Sequence, residues 1–196
     1  MEKIILTDCD GVLLDWTSSF SKWMVERGFV RLHDADNHYD VARQFGINRS
    51  VAKQQVNIFN QSAWMGYLRA FRDSVYHVKL LHELHGYRFH AITSMHTDKY
   101  AGRLREMNLK RLFGETAFER FTILGCGADK DEALAEYRGT NYFWIEDKPE
   151  NAVAGTKQGL RSLLIEHDHN LDHWHGDIIT VRTWKDIYTI VTQSEL

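Results

Sequence analysis

The 196-residue chain sets 24 Lys and Arg against 27 Asp and Glu, with 43% hydrophobic and 26% charged residues, an ordinary globular mix. That length suits one domain, or one core with a modest insertion, and the near-neutral balance gives no electrostatic reason to expect a nucleic-acid partner. No apolar run approaches the roughly 20 residues that span a bilayer, so no transmembrane helix is expected.

The start, Met1-Glu2-Lys3 and then a short apolar run, does not read as a signal peptide. Two cysteines, Cys9 and Cys126, are too few for a disulfide framework, and a reducing cytoplasm is the setting they imply. One proline and 13 glycines leave no Pro/Gly linker, and no internal repeat is present.

Ile4-Ile5-Leu6 is apolar without alternation, as in a strand covered on both faces, and it gives way to Thr7-Asp8-Cys9-Asp10-Gly11. From about Trp16 to Leu84 no strand is expected. Several helical patterns occur there instead, rich in aromatics such as Phe20, Trp23, Phe45, Phe59, Trp64, Tyr67 and Phe71. Phe71, Val75, Val78 and His82 have the spacing of a helix that returns to the sheet layer. Strand-like runs then resume at Phe89–Ile92, Phe121–Leu124, Tyr142–Ile145 and Leu163–Ile165.

Helices are expected between them. Thr97 can cap one that carries Ala101, Leu104 and Met107 on one face, and Asp129 with Glu132 reads as a capping box before Ala133, Leu134 and Tyr137. Thr183 with Asp186 reads as another, opening a last helix with Ile187, Ile190 and Val191. Short alternation of strand and helix predicts an α/β, doubly wound, Rossmann-like parallel sheet with a helical insertion after the first strand. The expected division is 1–15 and 85–196 as the core, with 16–84 as the insertion, including the helix that returns.

Ligands of doubly wound sheets bind beyond the carboxyl ends of the strands. Four such places carry reactive side chains here: Asp8 and Asp10; Thr93 and Ser94; Lys130; and Glu146 and Asp147, with Asn151 one helical turn on. Carboxylates packed together repel, and a divalent cation with oxygen ligands, Mg²⁺ first among them, relieves that repulsion. A carboxylate attacks phosphorus only when repulsion between two anions is offset, which a metal and a lysine do together. An acid two residues beyond the nucleophile can protonate the leaving alcohol and then deprotonate the attacking water.

Asp8-Cys9-Asp10-Gly11-Val12-Leu13-Leu14-Asp15 resembles the first signature of the haloacid dehalogenase-like (HAD) hydrolase superfamily. Ile92-Thr93-Ser94, Lys130 and Ile145-Glu146-Asp147-Lys148-Pro149-Glu150-Asn151 follow in that family's order and frame nearly the whole chain. The resemblance implies that Asp8 is a nucleophile forming an aspartyl-phosphate. It makes Asp10 the general acid/base, whose backbone carbonyl also binds metal. Asp147 joins Asp8 on Mg²⁺, Glu146 or Asn151 ligates directly or through water, and Thr93 or Ser94 with Lys130 holds the phosphoryl group. The family's dehalogenases lack an acid at the Asp10 position, so phosphate-ester hydrolysis is the activity implied. The family also places a helical cap where residues 16–84 lie.

Asp10-Gly11-Val12-Leu13, Ile92-Thr93-Ser94 and Val181–Tyr188 look most like the 5'(3')-deoxyribonucleotidase-like branch, although Glu146 stands where many members carry aspartate. Lys130 lacks the usual following proline, and Lys148 is an alternative phosphate-binding lysine. The implied substrate is a small phosphorylated metabolite such as a (deoxy)nucleoside monophosphate. A sugar phosphate, a polynucleotide 3'-phosphate, phosphotransfer to an alcohol, and a non-catalytic phosphate-binding module are the alternatives.

Other features read blandly. Cys9 has no Cys-x5-Arg loop and is expected to be a small buried residue. His167, His169, His173 and His175 match no zinc spacing and read as a solvated loop. Trp64 and Tyr67 could stack on a base, but helical core packing is the expectation. With Asp8, Asp10, Glu146 and Asp147 set aside, 24 basic residues face 23 acidic ones, so the small negative charge is local to the expected site.

Overall fold

The computed structural model describes residues 2–171 and 176–194. Six strands form one parallel sheet: β1 (Ile4–Thr7), β2 (Arg88–Ser94), β3 (Phe118–Leu124), β4 (Phe143–Glu146), β5 (Arg161–Ile165) and β6 (Ile179–Val181), in the spatial order β3-β2-β1-β4-β5-β6. Every pairing is parallel, so all carboxyl ends lie along one edge. β1 is central: Thr7 pairs with Ala91 of β2 on one side and Ile145 of β4 on the other.

The absence of polar alternation in β1 and β4 follows from this position, because all residues of both strands are buried. Their side chains divide between two cores. Ile5, Phe143 and Ile145 join the larger cluster with Val78, Leu81, Leu109, Trp184, Ile187 and Val191. Ile4, Leu6 and Trp144 join the other with Ala133, Leu134, Tyr137, Ala154 and Leu160. The helices are therefore dealt to opposite faces: α4 (Ser74–Glu83), α5 (Lys99–Phe113) and α8 (Trp184–Gln193) on one, α6 (Asp131–Ala135) and α7 (Pro149–Lys157) on the other.

Between β1 and β2 there is no strand. This insertion holds α1 (Trp16–Glu26), α2 (Val41–Gln44), α3 (Arg49–Asn60), two 3-10 turns at Ala35–Asn37 and Ala63–Gly66, and α4. Its aromatics make its own packing: Phe20 stacks on Trp16 at 4.5 Å between ring centroids, and Phe59 meets Phe20 edge-on at 5.3 Å and Trp23 at 5.4 Å. Where the insertion leaves and rejoins the core, its two connections pair: Asp15 N–H donates to Arg69 O and Phe71 N–H to Leu13 O. Helix α4 then packs on α8, and the Asp73 carboxylate accepts from the N–H groups of Trp184 and Lys185, satisfying donors at the α8 N-terminus.

Local details depart from the sequence expectations. The α5 cap is Asp98, not Thr97; its carboxylate accepts from the N–H groups of Tyr100 and Ala101. The face that α5 buries holds Ala101, Arg105, Asn108 and Leu109, while Met107 is exposed. No Asp129 capping box forms, because α6 begins at Asp131 with Lys130 at the cap and no side-chain cap bond. The Thr183–Asp186 capping box is present in full. Strand β6 was not expected; with three residues, two of them exposed, it carries almost no apolar pattern.

Gly155 sets how closely α7 approaches the sheet. A Cβ there would overlap the Trp144 indole and sit 2.6 Å from Ser162 Oγ. Replacement Gly155→Ala should therefore force α7 off β4 and cost about 1–3 kcal/mol, read as a lower urea midpoint at unchanged m-value.

Candidate active site

The loop after β1 is built tightly. Asp8 N–H continues the ladder to Ile145 O at 2.9 Å, and the Cys9 carbonyl then accepts from the N–H groups of Leu13 and Leu14 at 2.9 and 2.8 Å. The turn needs Gly11, whose φ of +76° disfavours any side chain and whose Cβ would overlap the Asp147 carboxylate. The loop is tied from three sides. Trp184 Nε1 donates to Val12 O at 2.8 Å, Ser74 Oγ to Leu13 O at 3.1 Å, and His167 Nε2 to Gly11 O at 2.8 Å.

Above this loop and the carboxyl ends of the strands lies a cavity of about 660 Å³, closed on its far side by the insertion. Asp8, Asp10, Ser94, Lys130, Glu146 and Asp147 line it from the core, and Trp16, Tyr39, Gln44, Lys53 and Asn60 line it from the insertion. Of the two candidate hydroxyls, Ser94 reaches the lining and donates to Ala128 O at 2.9 Å, whereas Thr93 is 2% exposed and is not among the lining residues.

Asp8, Glu146 and Asp147 offer carboxylate oxygens that all lie within 4.8 Å of one another. Lys130 is driven into this group: its Nζ is 2.8 Å from Asp8 Oδ1 and 3.0 Å from Glu146 Oε2. Burial opposes the Lys130 charge, but Asp8 and Glu146 outweigh it and hold the ammonium above its usual range. Lys148 makes no such ion pair among the described residues; its backbone N–H caps Glu146 Oε1 at 3.4 Å. Asn151 Nδ2 donates to that same oxygen at 2.8 Å, so both oxygens of the fully buried Glu146 are engaged.

Asp147 is less well supplied. Burial first, then the charges of Glu146 and Asp8, push its carboxyl well above the ordinary range. The one basic side chain within 4 Å of it, among the described residues, is His167, with Nε2 at 3.9 Å. Burial lowers His167 to about 4, so it stands there as a neutral ring, stacked on Phe71. Three clustered, buried carboxylates share one lysine, and that donor set fits a divalent cation with oxygen ligands.

Asp10, two residues from Asp8, faces a different partner. Arg105 of α5, fully buried, donates through both terminal nitrogens, Nη1 to Oδ1 at 2.6 Å and Nη2 to Oδ2 at 3.0 Å. Burial raises the Asp10 pKa and Arg105 opposes that rise.

Several residues at the cavity escaped the sequence reading. Arg105 left one trace, a charge on the helix face that also buries Ala101 and Leu109. His167 and His169 line the cavity instead of lying in a solvated loop; His173 and His175 fall outside the described residues. Trp64 packs against the core as expected, but Tyr67 is 71% exposed, and neither lines the cavity; Trp16 and Tyr39 do. Cys9 is buried and its thiol pushed up to about 12 by burial, so it is inert.

No protein-family model matches the sequence, and no curated protein matches it either. Solved structures do match. A haloacid dehalogenase-like family hydrolase from Streptococcus pneumoniae superposes with a TM-score of 0.65 at 16% identity, over 96% of this chain and 98% of its own. The fold is that of the HAD hydrolases. A protein described as a predicted phosphatase from Clostridium acetobutylicum gives 0.67 at 11% identity, over 98% and 99% of the two chains. The HAD-hydrolase YfnB from Bacillus subtilis, solved with bound magnesium, gives 0.63 at 12%, over 97% and 99%. Among the described residues no helix is long and apolar enough to cross a membrane.

The crowding at Asp147 is testable without any substrate. Asp147→Asn keeps the shape and removes one of the three repelling charges. The metal-free variant should be more stable than wild type by about 1–2 kcal/mol. It should also lose most of the rise in melting temperature that millimolar Mg²⁺ gives wild type, read by differential scanning fluorimetry with and without EDTA.

Proposed function

We propose that the protein is a Mg²⁺-dependent phosphomonoester hydrolase that works through an aspartyl-phosphate on Asp8. The observation that carries this reading is the pairing of Asp8 with Lys130 at the cavity floor, with a second carboxylate, Asp10, lining the same cavity two residues on. Asp8, Asp147 and the backbone carbonyl of Asp10 would hold the metal. Bound there, Mg²⁺ supplies positive charge that screens the phosphate from the carboxylates and polarises its oxygens.

Each residue then has a defined task. An Asp8 oxygen attacks phosphorus as the bond from phosphorus to the ester oxygen breaks, and Asp10 delivers a proton to that departing oxygen. The acyl phosphate on Asp8 is next attacked by water, whose proton Asp10 takes back, and phosphate leaves with Asp8 restored. Lys130 balances charge on Asp8 and on the phosphoryl oxygens, while Glu146 and Asn151 keep it in place. The Ser94 hydroxyl, or Thr93 behind it, bonds a phosphoryl oxygen. In this scheme Glu146 anchors Lys130 through one oxygen, and Asn151 holds its other oxygen. Asp10 favours ester hydrolysis over halide displacement, which produces no alkoxide needing a proton.

Residues 16–84 act as the cap in this reading, closing the site against water and contacting the rest of the substrate. A volume of about 660 Å³ suits a metabolite rather than a polymer. Its aromatic lining, Trp16 and Phe71, and the resemblance to the deoxyribonucleotidase-like branch favour a nucleoside monophosphate.

The decisive measurement is Mg²⁺-dependent phosphate release from a generic aryl phosphate and from a nucleotide panel. Asp8→Asn should lower it by about 10³-fold or more, and unchanged turnover would remove the assignment. Asp10→Asn should slow it roughly 10²–10⁴-fold, most with poor leaving groups. A panel on which sugar phosphates turn over and no nucleotide does would replace the nucleotide preference and leave the hydrolase reading standing.

A further inference from the structure

Arg105 belongs to no motif in the chain, yet it makes the most constrained contact at the site. It projects from the middle of α5, its side chain has no solvent exposure, and both terminal nitrogens engage Asp10. A guanidinium that meets a carboxylate with two parallel bonds fixes the carboxylate's plane as well as its distance, which an ammonium does not. The Asp10 side chain nevertheless keeps 25% of its surface exposed and lines the cavity. It is gripped from behind and open in front.

Two further contacts show what fixes Arg105 itself. Its Nη2 also lies 3.4 Å from Met65 Sδ in the 3-10 turn Ala63–Gly66, and one helical turn along, Asn108 Nδ2 donates to Leu68 O at 3.0 Å. Helix α5 thus touches the insertion and the Asp10 loop with the same buried face. A buried ion pair roughly breaks even against a well-packed apolar pair, so fold stability gives little account of a charge here. The geometry accounts for it.

We propose that Arg105 is a positioning residue, holding the Asp10 carboxylate by both oxygens in the orientation from which it serves the leaving-group oxygen of a bound phosphate ester. This rests on the hydrolase reading above. The consequence is selective. In the step that forms the acyl phosphate, a misaligned Asp10 matters when the leaving group is a poor one, such as an alkyl alcohol, and matters little for 2,4-dinitrophenolate, which departs without a proton; the later attack of water needs Asp10 with either ester. Loss of Arg105 should also have nothing left to act on once Asp10 is amide.

The experiment compares wild type, Arg105→Lys, Arg105→Gln, Asp10→Asn and the Asp10→Asn/Arg105→Gln double variant on an alkyl phosphate and on 2,4-dinitrophenyl phosphate, with Mg²⁺ saturating. Circular dichroism checks folding. The expected result is a fall in kcat of about 10- to 100-fold on the alkyl phosphate for Arg105→Gln, less for Arg105→Lys, with KM little moved. The single-turnover rate of dinitrophenolate release should stay within about 3-fold, while steady-state turnover of that ester falls because attack of water on the acyl phosphate still needs Asp10, and Arg105→Gln should add nothing to Asp10→Asn.

Equal losses in the single-turnover rates of leaving-group release from both esters, a further loss on top of Asp10→Asn, or full activity in both Arg105 variants would overturn the assignment. If Arg105→Gln does not fold, Arg105→Lys decides by the same leaving-group comparison. The two readings fail separately. Turnover that survives Asp8→Asn overturns the hydrolase reading and this assignment with it, whereas Asp8-dependent turnover whose Arg105 variants show no leaving-group selectivity in the release step overturns this assignment alone.

Discussion

The structure is organised around the cost of holding three carboxylates together out of water. Asp8, Glu146 and Asp147 come within 4.8 Å of one another because β1 and β4 are adjacent parallel strands that end at the same level. In a medium less polar than water such charges repel by several kcal/mol, far more than a surface cluster would. Lys130 offsets part of that, and its own burial is tolerable only because two acids surround it. The remainder falls on Asp147, whose carboxyl is raised first by burial and then by the charges of Glu146 and Asp8.

That cost explains the care with which the surroundings are built. Glu146 is bonded at both oxygens, so its orientation toward Lys130 is fixed. Asn170 uses its amide to bond the backbone carbonyls of Asp147 and Ile165, pinning the end of β4 to that of β5. The C-terminal helix contributes Trp184, whose indole holds Val12 in the loop after β1. The site therefore depends on elements from both ends of the chain, and the insertion closes over it. Excluding water strengthens every one of these interactions at once.

How much of this was legible in the sequence follows from how local each signal is. β1 and β4 were readable because a strand buried on both faces shows an unbroken apolar run, and the acids that end them stand out against it. The order of Asp8, Thr93, Lys130 and Asp147 was readable because each lies at or beyond the carboxyl end of a strand. Arg105 was not, since its meaning depends on α5 lying against the loop after β1, a contact across 95 residues of chain. His167 was hidden similarly: a histidine-rich loop looks solvated until Phe71, from the insertion, stacks on it. The α6 cap failed for an opposite reason. Asp129 and Glu132 have the right spacing, but Lys130 is drawn inward to the carboxylates, and the helix starts only after it.

The same division of partners separates the two acids of the first loop. Asp8 and Asp10 have the same side chain, lie two residues apart and line the same cavity. They differ in the cation each meets. Asp8 shares Lys130 with Glu146 inside a crowded anionic cluster, where its charge is only partly compensated. Asp10 has Arg105 to itself, bound through both oxygens. In the proposed chemistry that asymmetry is what assigns the roles. A nucleophile must be brought up to phosphorus while its anionic charge is balanced by the lysine and the metal. A proton carrier must be held still at the leaving group while it gains and loses a proton. Two identical carboxylates take different parts because the fold gives them different neighbours.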